Sequence, residues 1–163
     1  ALEIDPGDLT SARWCGTIEG LRAAAPIERD AAPMPGALTG RILVVDDQPD
    51  TLTLIVRALE GEQYIVSTAN SGQQALRMID EHLPDLMVLD YKMAGMDGMA
   101  VMRTLRARPK THALPVLMLT AMTDEPSTRA GFEAGVTDYV TKPFSIPQLT
   151  ARVRACLARS QLP

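Results

Sequence analysis

Short apolar runs punctuate the chain at residues 41–45, 64–68, 86–89, 116–119 and 136–140, with helical stretches between them. After the first run, Leu52, Ile55, Val56 and Leu59 recur at i, i+3, i+4 and i+7 behind Pro49, a good first-turn residue, and Gly61 ends the stretch. After the second, Asn70 and Ser71 offer caps for a helix with Leu76, Ile79 and Leu83 on one face. Residues 99–108 read as the third helix, and 124–134 as a poor fourth containing Pro126 and Gly131. The last helix, 147–160, carries Ile146, Leu149, Val153, Cys156 and Leu157 on one stripe. Strands that are apolar at every position, not every second one, belong to a parallel sheet covered on both faces. The alternation therefore predicts an α/β domain.

Such sheets hold ligands outside the carboxyl ends of their strands. Asp46, Asp47, Asp90 and Thr120 follow the predicted strands directly, and Lys142 follows the last of them closely. Converging carboxylates repel one another unless a cation neutralises them. The first strand exits through Val45-Asp46-Asp47-Gln48-Pro49, two carboxylates and no glycine. A loop of that kind repels phosphate but suits Mg2+, which takes oxygen ligands. A dinucleotide or flavin sheet would instead place a glycine-rich phosphate cradle here, so a flavodoxin-like cofactor enzyme is disfavoured. Asp90 is open to two roles, as a third metal ligand and as a nucleophile forming an acyl phosphate. Thr120 and Lys142 would donate to the phosphoryl oxygens.

Composition narrows the setting. With 46% hydrophobic residues in 163, a core can form without disulfides or a structural metal. A net charge of −4 argues against a nucleic-acid or anionic-membrane surface as the main partner. Cys15 and Cys156 form no CxxC pattern and are expected to be reduced, in a cytoplasmic protein. No apolar stretch approaches the roughly 20 residues of a membrane span, and the first residues lack a basic start and a continuous apolar core, so they form no secretion signal. Residues 1–39 are Ala-, Pro- and Gly-rich and read as an extension or linker, with a weakly supported helix at 17–25 and the only tryptophan, Trp14.

Several short pieces, in order, carry a resemblance: Ile42-Leu43-Val44-Val45-Asp46-Asp47, Leu89-Asp90 with Gly95-Met96-Asp97-Gly98, Leu119-Thr120-Ala121, Gly135, and Asp138-Tyr139-Val140-Thr141-Lys142-Pro143-Phe144. Residues 40–160 resemble the receiver domain (CheY-like) of bacterial two-component response regulators. The resemblance implies a five-stranded parallel doubly wound sheet of order 2-1-3-4-5, a flavodoxin-like three-layer sandwich. It implies Asp90 as the acceptor of phosphate from a histidine kinase or histidine phosphotransfer protein. Mg2+ would be held by Asp47 directly, by Asp46 through water, by Asp90 and by the backbone carbonyl of Lys92. Thr120 would be the switch hydroxyl, Tyr139 the aromatic that follows it and Lys142 the phosphate-binding lysine, with a cis Lys142–Pro143 bond. Such a chain is no enzyme in the ordinary sense: it promotes its own phosphorylation and dephosphorylation. The signal would emerge on the face built by the 124–134 helix, the fifth strand and the last helix.

The chain also departs from the family. Proline usual four residues after the phosphorylated aspartate is Ala94, beside Gly95, so the loop from Asp90 to Gly98 is expected to be looser. Lys92 and Met122 occupy positions that tune phosphate lifetime; neither orients water well, which predicts a long-lived phosphoaspartate. Asp138 and Arg152 match one ion pair of the family's dimer face, whereas Thr128 and Gln148 leave another pair missing. A homodimer through that face is thereby weakened. No output domain is legible, so the chain would act on a downstream protein or through a missing segment. A receiver fold used only for docking, without phosphorylation, is the alternative. The methionines near the site read as adaptable packing, and His82 and His112 as solvated side chains with no ligand spacing.

Overall fold

The computed structural model describes residues 40–121 and 133–160. The elements run β1 (Arg41–Val45), α1 (Pro49–Gly61), β2 (Ile65–Ala69), α2 (Gly72–Glu81), β3 (Leu86–Asp90), α3 (Gly98–Ala107), β4 (Val116–Ala121), β5 (Asp138–Lys142) and α4 (Ile146–Ser160). All strand pairs are parallel and the order is β2-β1-β3-β4-β5, as expected. Trp14, Cys15, the 17–25 stretch and most of the expected 124–134 helix, with Met122 and Thr128, lie outside the described residues.

Unbroken apolar strands now have their reason. Leu43, Val45, Met87, Leu89 and Met118 face α2 and α3, packing on Leu76, Ile79, Val101, Met102 and Leu105. Their neighbours Ile42, Val44, Leu86, Val88, Leu117 and Leu119 face α1 and α4, against Ile55, Leu59, Leu149, Val153 and Cys156. β1, β3 and β4 thus bury both faces, at about 25 cal/mol per Å2 of apolar surface removed from water. Met93, Met99, Met102 and Met118 are buried in the first of these cores and Met96 packs against it, so they serve packing. Cys156 sits in the second, where burial and then the Asp138 charge push its thiol up to about 11.

Caps fix the element starts. The Ser71 hydroxyl accepts from the Gln74 N–H at 3.2 Å, and the Gln74 side chain accepts from the Asn70 N–H at 2.8 Å. Asp97 caps α3 through the Ala100 N–H at 2.8 Å. Gly61 is the last residue of α1, but the left-handed turn after it falls on Gln63, at φ 69°.

The fifth strand differs from expectation. It occupies Asp138–Lys142, not 136–140. Val136 is apolar because it plugs the α2/α3 core from a loop, and Thr137 bonds to Val116 just before the strand pairing begins. Gly135 ahead of it has φ +94°. Its carbonyl accepts from the Arg106 guanidinium at 2.7 and 3.2 Å, tying the strand's approach to α3. The shift puts Lys142 at the end of β5, directly beside Ala121. Likewise Asp90 and Thr120 are strand residues rather than the residues after strands.

Candidate functional site: an acidic cluster at the carboxyl edge of the sheet

Register brings the acidic residues together. Val45 pairs with Leu89, so Asp46 and Asp90 leave neighbouring strands at one level. Asp46 is fully buried, Asp90 nearly so, and Asp47 is exposed at the rim. One carboxylate oxygen from each of Asp46, Asp47 and Asp90 lies within 4.8 Å of the others. Lys142 reaches in from β5, its Nζ 3.1 Å from Asp90 Oδ1 and 3.2 Å from Asp46 Oδ2. The remaining Asp46 oxygen accepts from the Gln48 N–H at 2.9 Å, which turns the chain into α1.

Burial and then repulsion from Asp46 push the Asp90 carboxyl above its ordinary value, with Asp47 adding to the push; the bond and charge of Lys142 oppose them and lose. Burial pulls the Lys142 ammonium down, but its bonds to Asp90 and the attraction of Asp46 outweigh that, and it stays protonated. An excess of negative charge over the one lysine is what a divalent cation would correct. Hard oxygen donors, two of them buried and close together, suit Mg2+. Asp46, Asp47 and Asp90 fit that ion.

The strand end carrying Asp90 is closely fitted from behind. A Cβ on Gly98 would stand 2.7 Å from the Asp90 carbonyl oxygen and 3.0 Å from Tyr91 Cα, both backbone. Gly98→Ala is therefore expected to cost about 2–3 kcal/mol, lowering the melting temperature by roughly 6–10 °C in thermal denaturation.

Thr120 is buried beside this cluster, but its hydroxyl donates to the Ala121 carbonyl at 3.5 Å and not to Asp90. Tyr139 is half-buried against the α2/α3 core; burial and then the neighbouring Tyr91 push its phenol up to about 12. Lys92 is exposed on the loop after β3. The Lys142–Pro143 bond is cis, as the resemblance implied. Asp138 and Arg152 pair at 2.9 Å within the chain, so a second copy could use them only by exchanging partners. His82 is half-buried behind α2, and His112 is exposed with Nδ1 2.8 Å from the Pro109 carbonyl oxygen.

One contact went unforeseen. The Ala94 N–H donates to Asp47 Oδ2 at 3.1 Å. Ala94 was legible as a residue where proline is usual, and any residue other than proline carries that donor. Its acceptor could not be read from the sequence.

The response regulator receiver domain model matches residues 42–154. The chain is 42% identical over 121 residues to the phosphate regulon transcriptional regulatory protein PhoB of Rhizobium meliloti, covering 74% of this chain and 53% of that protein. It is 42% identical over 118 residues to the response regulator PleD of Caulobacter vibrioides, covering 72% of this chain and 26% of that one. The chain thus spans about half the length of the first of these relatives and a quarter of the second. Among solved structures, the signal receiver domain of a signal transduction histidine kinase from Syntrophus aciditrophicus superposes with a TM-score of 0.72 at 30% identity, covering 77% of this chain and 95% of that one. The receiver domain of Francisella response regulator 1452 gives 0.70 at 30% identity, covering 76% and 100%.

Proposed function

The chain belongs to the response regulator receiver domain family, and we propose that it accepts a phosphoryl group on Asp90 with Mg2+ and relays that event to the face around β5 and α4. The observation that carries the proposal is the Lys142 ammonium spanning Asp90 and Asp46, with Asp47 at ligand distance beside them. In the transfer, an Asp90 oxygen attacks the phosphorus of a phosphohistidine on a histidine kinase or phosphotransfer protein. The P–N bond breaks, its electron pair stays on the imidazole, and the new P–O bond makes an acyl phosphate. Lys142 would leave its carboxylate partners to hold a phosphoryl oxygen. A bound Mg2+, held by Asp46, Asp47, Asp90 and the Lys92 carbonyl, would neutralise the phosphoryl oxygens as a Lewis acid.

Thr120, buried next to the cluster, and Tyr139, half-buried one strand away, are the proposed two-state link from site to surface. On this reading the chain is a cytoplasmic phosphoacceptor without separate substrate turnover. Its output runs through a downstream protein or a segment beyond this sequence. Incubation with acetyl phosphate tests the reading: hydroxylamine-labile phosphorylation that requires Mg2+ supports it, and an unlabelled protein refutes it.

Lifetime follows from the two positions that the family resemblance assigns to it. Lys92 and Met122 offer no amide or carboxylate to align an attacking water. Lys92→Asn combined with Met122→Glu is expected to speed loss of the phosphoryl group by about tenfold, about 1.4 kcal/mol in barrier. Equal decay of variant and wild type, followed by loss of label over time, would remove these residues from the explanation.

A further inference from the structure

The loop between β3 and α3 is tied at its base, where the Tyr91 N–H donates to the Leu119 carbonyl at 2.9 Å and the Gly98 N–H to the Tyr91 carbonyl at 2.9 Å. Its tip crosses to the loop after β1, where the Ala94 N–H meets Asp47 Oδ2 at 3.1 Å. Asp46 is held by Lys142 and the Gln48 N–H, and Asp90 by Lys142. Asp47 is the exposed member of the cluster, and the bond from Ala94 is the hydrogen bond its carboxylate makes among the described residues. We propose that the backbone N–H of Ala94 is a positioning group for the cation site, holding Asp47 by one oxygen so that the other is presented toward Asp46 and Asp90. The inference rests on the proposed Mg2+ site and adds how its exposed ligand is kept in place.

Physical chemistry supports the assignment. A backbone donor aimed at a carboxylate oxygen makes a stronger bond than one between neutral groups. It also draws charge from an oxygen that would otherwise add to repulsion within the cluster. A free Asp47 would sample rotamers in which no oxygen faces the site, and Mg2+ would have to select the productive one. The cation and the loop are thereby coupled: whatever moves the tip at Ala94 changes affinity for the cation, and the cation in turn steadies the loop.

Proline at position 94 removes the donor while keeping a compact residue. Gly95, at φ +80° with open space around it, supplies the left-handed position that follows proline in a type II turn. Magnesium chloride is titrated into wild type, Ala94→Pro and Ala94→Ser by calorimetry, with melting temperature in the absence of metal recorded for each. The expected result is affinity weakened on the order of tenfold in Ala94→Pro and restored in Ala94→Ser, which keeps the N–H, with little change in metal-free stability. Wild-type affinity in Ala94→Pro would overturn the proposal. Wild type that binds no Mg2+ would instead sink the site reading on which it rests. Should Ala94→Pro fail to fold, hydrogen exchange at the Ala94 amide decides. Protection lost in Asp47→Ala supports the bond, and protection unchanged there refutes it.

Discussion

Asp90→Asn is expected to reduce labelling by acetyl phosphate to background while raising the stability of the metal-free protein. The two effects have one origin. The nucleophile must be a carboxylate, and Asn cannot attack phosphorus to give an acyl phosphate. The same charge is unwelcome in the fold, where burial and then Asp46 push the Asp90 carboxyl above its ordinary value despite Lys142. A group whose folded pKa is raised stabilises the fold below its unfolded pKa, and that stability is lost as the pH rises through the folded pKa. At neutral pH the ionised Asp90 therefore costs stability. Removing its charge while keeping an acceptor for Lys142 should raise the melting temperature by a few degrees. The gain should vanish in the same melting experiment as the pH falls toward the ordinary carboxylate range. A variant that melts lower than wild type at neutral pH would contradict the charge balance described for this site.

Lys142→Ala is expected to be more damaging. It leaves Asp46, fully buried, and Asp90, nearly so, without the cation that joins them at 3.2 and 3.1 Å. Stripping one partner from such a pair costs about 3 kcal/mol, a fall of roughly 10 °C in melting temperature. Two treatments should narrow the gap to wild type: added Mg2+, which takes over the neutralisation, and acidification through the raised pKa of Asp90, which removes one of the charges. Phosphoryl transfer should fall by about 100-fold even with saturating Mg2+, because a preorganised charge aimed at the phosphoryl oxygens is gone. Unchanged melting would mean that the cluster is solvated well enough to need no lysine.

Much of this is legible in the sequence. Strand identity comes from runs such as Ile42–Val45, where every residue is apolar because β1 is covered on both faces. Asp46 and Asp47 stood out because two carboxylates at a strand exit have few structural uses. The fifth strand slipped by two residues for a definable reason: Val136 is apolar as a core plug, not as a strand residue, and hydrophobicity does not distinguish the two. Gly61 ends α1 as expected, but the left-handed residue after the helix is Gln63, which no glycine marks. The Ala94 bond was invisible because a backbone N–H has no side-chain signature, and its acceptor lies 47 positions away in sequence. Thr120 was found as a residue, but its hydroxyl is turned to Ala121, which composition cannot show.

The claim that Asp90 is the phosphoryl acceptor is tested most directly by mapping the label. Wild-type protein is phosphorylated with acetyl phosphate, the acyl phosphate is reduced with borohydride, and the modified residue is located by peptide mass spectrometry. Modification at Asp90 alone, and only when Mg2+ is present, is the predicted result. Modification at Asp46 or Asp47, or labelling of Asp90 that is indifferent to Mg2+, would contradict it.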